Sequence, residues 1–153
     1  MTMKNVKISR RLEATIATMV FRLKRDGVVT SFVDRLVVEL IADDETFASL
    51  LVSLMLGSGG KMAVCHDISE LIESCHSVET ELPELFFKQL CDRLYADAEA
   101  IRLSSAHVLC WALNMPDSAT SKVFSECGIK AENVVELMCQ LSNGSFNEKT
   151  LVE

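Results

Sequence analysis

At 153 residues with a formal net charge of −7, the chain is sized for one compact domain, or for two small repeats sharing a core, and it repels polyanions overall. Hydrophobic residues make up 49% of it but aromatics only 6%, so the core must come from Leu, Val, Ile, Met and Ala, which favours packed helices over a sandwich or barrel. No apolar run reaches the roughly 20 residues that cross a bilayer, no apolar stretch follows the basic start Met1–Arg11 as a signal sequence requires, and no Lys/Arg stripe is interleaved with aromatics.

The expectation is therefore an all-α cytoplasmic domain with neither a membrane nor a nucleic-acid partner. Six cysteines without a secretory context read as reduced thiols, with Cys91, Cys110, Cys127 and Cys139 mostly in the core.

Eight helices follow from caps and periodicity. The first starts after Ser9 and runs to about Arg25, with Leu12, Ile16, Met19, Val20 and Leu23 on one face and Gly27 as its stop. It carries the basic cluster Lys4, Lys7, Arg10, Arg11, Arg22, Lys24 and Arg25, which reads as a solvated face. Ser31 caps the second, Phe32 to Ala42, with Val33, Leu36, Val37, Leu40 and Ile41 inward. Asp43-Asp44 places negative charge at the start of the third, which buries Phe47, Leu50, Leu51 and Leu54 and ends near Leu56.

Gly57-Ser58-Gly59-Gly60 breaks the chain, and a short fourth helix runs from near Asp67 to about Cys75. Residues 77–82 read as a linker. Pro83 opens the fifth helix, to about Glu99. Ser104 caps the sixth, Ser105 to about Asn114. Pro116-Asp117-Ser118 starts the seventh, to about Cys127, with Gly128 as its stop, and the eighth runs from about Ala131 to Leu141. Residues 143–153 form a tail.

The two halves superimpose. Shifted by 71, Ile16, Met19, Val20 and Leu23 fall on Phe87, Leu90, Cys91 and Leu94; shifted by 72, Leu36, Val37, Leu40 and Ile41 fall on Val108, Leu109, Ala112 and Leu113, and Thr46 and Leu51 on Ser118 and Val123. Two tandem four-helix repeats related by a pseudo-twofold axis are expected, repeat one over about 8–76 and repeat two over about 83–142.

The stretch Leu103–Ile129 carries a resemblance. Ser104-Ser105-Ala106-His107-Val108-Leu109, then Asp117-Ser118-Ala119 through Val123-Phe124 and Gly128-Ile129, resembles the second half of the Clp N-terminal repeat domain of Hsp100/Clp unfoldases. The resemblance would cover about Ile8 to Ser142. It implies an adaptor- and substrate-docking domain that catalyses nothing and needs no cofactor. Its partners would be adaptor or substrate proteins, and the ATPase ring with its protease if the chain belongs to a longer one.

The acid–His pair usual in that family is split here: Asp34 precedes Arg35 in the first half, and Ala106 precedes His107 in the second. These four residues are the expected partner-binding group. Phosphoarginine recognition, known in some members, would find a carboxylate only at Asp34. The family's ATPase modules are not in this chain: Gly57-Ser58-Gly59-Gly60-Lys61 lacks the P-loop spacing.

Other constellations read more plainly. Cys65-His66 and Cys75-His76 have Zn²⁺-binding chemistry, but their ten-residue spacing fits no standard site, and no metal is expected. His107 and Cys110, three apart on one helix, could pair as base and thiol, yet Cys110 lies in an apolar run without an orienting third residue. Met19, Met55, Met115 and Met138 fall on apolar faces and read as core filling, with Trp111 as core or partner anchor according to its burial. The acidic groups Asp43, Asp44, Glu45 and Glu79, Glu81, Glu84 could receive a basic partner or simply be solvated. The competing reading is a small helical regulator, unrelated to Clp, that acts by self-association or partner binding.

Overall fold

The structure, a computed structural model, describes residues 5–27, 31–74 and 100–141. The expected fifth helix, the linker 77–82, the tail, Cys75, His76, Cys91, the side chain of Cys139 and the acids Glu79, Glu81 and Glu84 lie outside the described residues.

The fold is all-α. Helix α1 (Arg10–Asp26) starts where the Ser9 Oγ accepts the Leu12 N–H at 3.2 Å and ends at Gly27, whose φ of 69° puts it in the left-handed region. Glu13 near its start and Lys24 and Arg25 near its end complement the helix dipole. Leu12, Ile16 and Met19 are buried along one stripe, with Val20 and Leu23 partly so, as the periodicity predicts.

Helix α2 (Phe32–Ala42) buries the five apolar residues expected of it. Its start corrects one expectation: Ser31 takes φ 53°, ψ 43° and makes no side-chain cap, so it turns the chain rather than satisfying the helix end.

Helix α3 (Phe47–Ser74) is two helical arms joined at Gly57, where φ 76° and ψ 171° define a backbone shape that a Cβ disfavours. The break is where the glycines place it, but the second arm begins well before Asp67. Val64, Ile68 and Ile72, four apart, give that arm its buried stripe. Lys61 ties it back to the first arm, with Nζ 2.6 Å from Asp44 Oδ1 and 3.0 Å from Ser49 Oγ. In the first arm the core face is Ala48, Leu51 and Val52, while Leu50 and Leu54 are exposed, against expectation. Taken whole, α3 is long and apolar enough to cross a membrane by length and composition alone, and the Gly57 break interrupts it.

Helices α4 (Ser105–Leu113), α5 (Ala119–Glu126) and α6 (Ala131–Leu141) complete the set. Helix α5 closes with paired backbone bonds, Ile129 N–H to Phe124 O at 2.9 Å and Gly128 N–H to Ser125 O at 3.0 Å, with Gly128 at φ 75°. This is the glycine stop that the Gly128-Ile129 pair predicts.

Two short strands were not legible in the sequence. β1 (Asn5–Ile8) runs parallel to β2 (Ala100–Leu103), pairing Asn5 with Ala100 through Ile8 with Leu103. The pairing ties the lead-in of α1 to the lead-in of α4. Helices α2 and α4 pack together at the centre. α2 also touches α1, α3 and α5, and α4 touches α3, α5 and α6, so one core runs through all six.

Candidate functional site

The most specific polar chemistry lies where α2 and α4 meet the starts of α5 and α3. Asp34, in the first turn of α2, is 6% exposed. Its Oδ1 accepts the Thr120 N–H at 2.9 Å and the Thr120 hydroxyl at 2.7 Å, and its Oδ2 accepts the Ala119 N–H at 3.1 Å. A helix start exposes unpaired N–H groups and the positive end of the dipole, so a carboxylate is well matched to it. The reverse contact comes from α4: Ser105 Oγ accepts the Ala48 N–H, in the first turn of α3, at 2.9 Å. Each central helix therefore caps a helix of the other half.

The turns into α3 and α5 share two side-chain bonds, although Thr46 Oγ1 also reaches Asp43 O at 3.0 Å and Ser118 Oγ has no such second acceptor among the described residues. Thr46 Oγ1 accepts the Ser49 N–H and donates to Leu40 O; 72 residues on, Ser118 Oγ accepts the Ser121 N–H and donates to Ala112 O. The backbone bonds Thr46 N–H to Asp43 O and Ser118 N–H to Met115 O repeat at the same interval. The sequence had aligned Thr46 with Ser118. It did not reveal Ser105 or Thr120, whose neighbours in sequence are not their partners in space.

The four residues expected to bind a partner sit on the packed pair α2 and α4, but their side chains diverge. Asp34 is buried under the start of α5, and Ala106 is 0% exposed in the core. Neither presents a side chain to a partner, because one completes a helix end and the other fills a helix crossing. Arg35 is half-buried and lines a cleft of about 310 Å³ with Arg22, Asp26, Glu39 and Glu73. His107 is half-buried, and its Nδ1 accepts the Ser104 N–H at 3.1 Å, the back-bonding half of a capping box.

The Cys110 thiol lies 3.8 Å from Met138 Sδ, and burial pushes it up to about 12, only slightly offset by a backbone hydrogen bond. With His107 turned to the helix start, the two do not form an activated thiol. Burial likewise raises Cys65, with Lys61 opposing. Cys127 is exposed, which corrects its placement in the core. Iodoacetamide at mildly alkaline pH should label Cys127 in the folded chain and leave Cys110 untouched until denaturant is added. Peptide mapping that finds equal native labelling at the two would contradict this burial.

His66, Asp67 and Glu70 lie close enough to suggest a metal, with Asp67 facing Nδ1 at 3.6 Å and Glu70 facing Nε2 at 3.5 Å. All three side chains are exposed, and one ligand atom from each lies within 4.8 Å of the others. The acidic turn is already matched: Arg11 bonds Asp43 at 2.8 Å and also pairs with Glu45, and Lys61 pairs with Asp44. Partial burial pushes Asp43 up, but the Glu45 N–H and Arg11 outweigh it and hold Asp43 below its ordinary value. Trp111 is 7% exposed and belongs to the core.

No family model, curated protein or solved structure matches the chain.

Proposed function

We propose that the chain is a non-catalytic docking domain of a Clp-type, ATP-dependent unfoldase–protease system, built as two tandem four-helix repeats about a pseudo-twofold axis. The observation that carries the reading is the recurrence, 72 residues apart, of two side-chain bonds at the Thr46 and Ser118 caps, together with the reciprocal caps from Asp34 and Ser105. That recurrence supports a duplicated four-helix unit, the architecture that the resemblance in Leu103–Ile129 implies. The docking surface would lie where Arg35 and His107 reach the exterior of the central pair. Partners would be adaptors or substrate proteins in the cytoplasm, with no cofactor.

The test is affinity purification of the intact chain, expressed in its own cells, with quantitative mass spectrometry of the eluate and reconstitution from purified components. Enrichment of an unfoldase ring, its protease or its adaptors, followed by direct binding, is the expected result. An eluate holding none of these would overturn the Clp assignment.

One observation favours self-association as the second reading. Leu50 and Leu54, one turn apart on α3, are 47% and 55% exposed, and Met62 is 72% exposed. Sedimentation showing a dimer that Leu50→Glu dissolves would select that reading.

A further inference from the structure

The basic face of α1 forms one wall of a cleft of about 500 Å³ against α2. Arg11, Thr15, Thr18 and Arg22 follow one another at intervals of four, three and four, so they share one side of the helix, and Arg10 flanks them. Ala14 lies between the arginines and keeps the cleft open, and the buried Met19 floors it. Three guanidinium groups line the cleft against one carboxylate, that of Glu39. Arg11 also pairs with Asp43 and Glu45, which lie outside the cleft lining.

We propose that this cleft binds an acidic peptide segment, an extended stretch rich in Asp and Glu. The chain's own carboxylates exemplify the contact: Arg22 Nη2 lies 2.5 Å from Glu39 Oε1, and Arg11 bonds Asp43 at 2.8 Å. Both pairs are half-exposed, with side chains of 31–42% exposure, so water and an incoming carboxylate can reach them and replace one partner. Arg10 is exposed and makes no ion pair among the described residues.

The planar fork of arginine suits carboxylates, and the Thr15 and Thr18 hydroxyls can bond a peptide backbone between them. Arg11 and Arg22 are eleven residues apart, about 16 Å along a helix, and an extended peptide covers that span in about five residues. The segment therefore carries acids about five positions apart. Polynucleotides satisfy the same arginines but must approach the net negative molecule over a much longer contour.

The proposal does not rest on the Clp reading. Loss of unfoldase co-purification leaves it standing, and its failure leaves that reading untouched.

The experiment titrates the intact chain into a fluorescein-labelled hexapeptide with Glu at both ends, five positions apart, read by anisotropy. The matched Gln peptide and a labelled single-stranded oligonucleotide are the comparisons. Binding of the Glu peptide alone is expected, falling severalfold as salt is raised from low to physiological levels and beyond. Arg10→Glu should weaken it about fivefold, the upper end for one exposed ion pair, and Arg22→Ala by a similar factor. Glu39→Gln, which releases Arg22, should tighten it. Circular dichroism confirms that each variant keeps its helix content. Equal binding of the Gln peptide, tighter binding of the oligonucleotide, or an affinity unchanged in Arg10→Glu and Glu39→Gln would each overturn the proposal.

Discussion

Asp34→Ala should lower the unfolding free energy by about 3–5 kcal/mol, and a urea titration followed by far-UV circular dichroism measures it. The magnitude follows from what the carboxylate holds. Three donors converge on it: the Ala119 and Thr120 N–H groups and the Thr120 hydroxyl. Ala119 and Thr120 are buried, at 8% and 0% exposure, so water does not readily replace the lost acceptor. Each unsatisfied buried donor costs about 1–3 kcal/mol, and the hydroxyl can rotate to recover part of its share.

Among the described residues no Lys or Arg pairs with Asp34, so the helix end is its counter-charge. Asp34→Asn keeps the shape and one carbonyl oxygen and should lose roughly half as much. Ser105→Ala removes one acceptor at the equivalent crossing and should cost about 1 kcal/mol. A loss below about 1 kcal/mol in Asp34→Ala would show that the start of α5 is satisfied without this residue. The same logic explains why Asp34 is a poor candidate for a partner's ligand: removing it would abolish docking by unfolding the surface.

How much of this was legible depends on whether a signal is local. Ser9, Gly27, Gly57, Ser118 and Gly128 act on bonds within a few residues of themselves, and each does what its residue type predicts. The buried stripes of α1 and α2 follow period 3.6, and the structure fills them. Ser31 failed because a cap also requires a backbone conformation, and its left-handed φ carries the hydroxyl away from the helix start. Leu50 and Leu54 failed because an apolar face is broader than the neighbour that covers it, and Ala48, Leu51 and Val52 occupy the packed sector.

The second arm of α3 begins ahead of Asp67 although glycine and lysine disguise its first turn, and Lys61 is held there by Asp44 and Ser49. β1 and β2 are four residues each, and nothing within either marks its partner about 95 positions away. Asp34 could be picked out from its resemblance to a binding residue, but its actual partners, 85 and 86 residues downstream, could not.

Phe124→Ala should be the most damaging core substitution, costing about 3–5 kcal/mol. Phe124 is 0% exposed and, among the described residues, the largest fully buried side chain, on helix α5, which packs against α3. The residue 72 positions earlier is Val52, also 0% exposed. If the two halves are equivalent in packing, the crossing at Val52 is filled from elsewhere, and Val52→Ala should cost only about 1.5–3 kcal/mol. Small domains are stable by about 5–15 kcal/mol, so the Phe124 variant should lie close to its unfolding threshold at room temperature while the Val52 variant stays folded.

Phe124→Leu separates cavity from contact: it retains most of the apolar area and should recover more than half of the loss. Urea midpoints for the three variants, compared at constant slope, give the order directly. A Val52 loss equal to the Phe124 loss would place the centre of the core in the first half. A small Phe124 loss would mean that α5 moves inward to close the space, which the fixed bonds from Asp34 to Ala119 and Thr120 oppose.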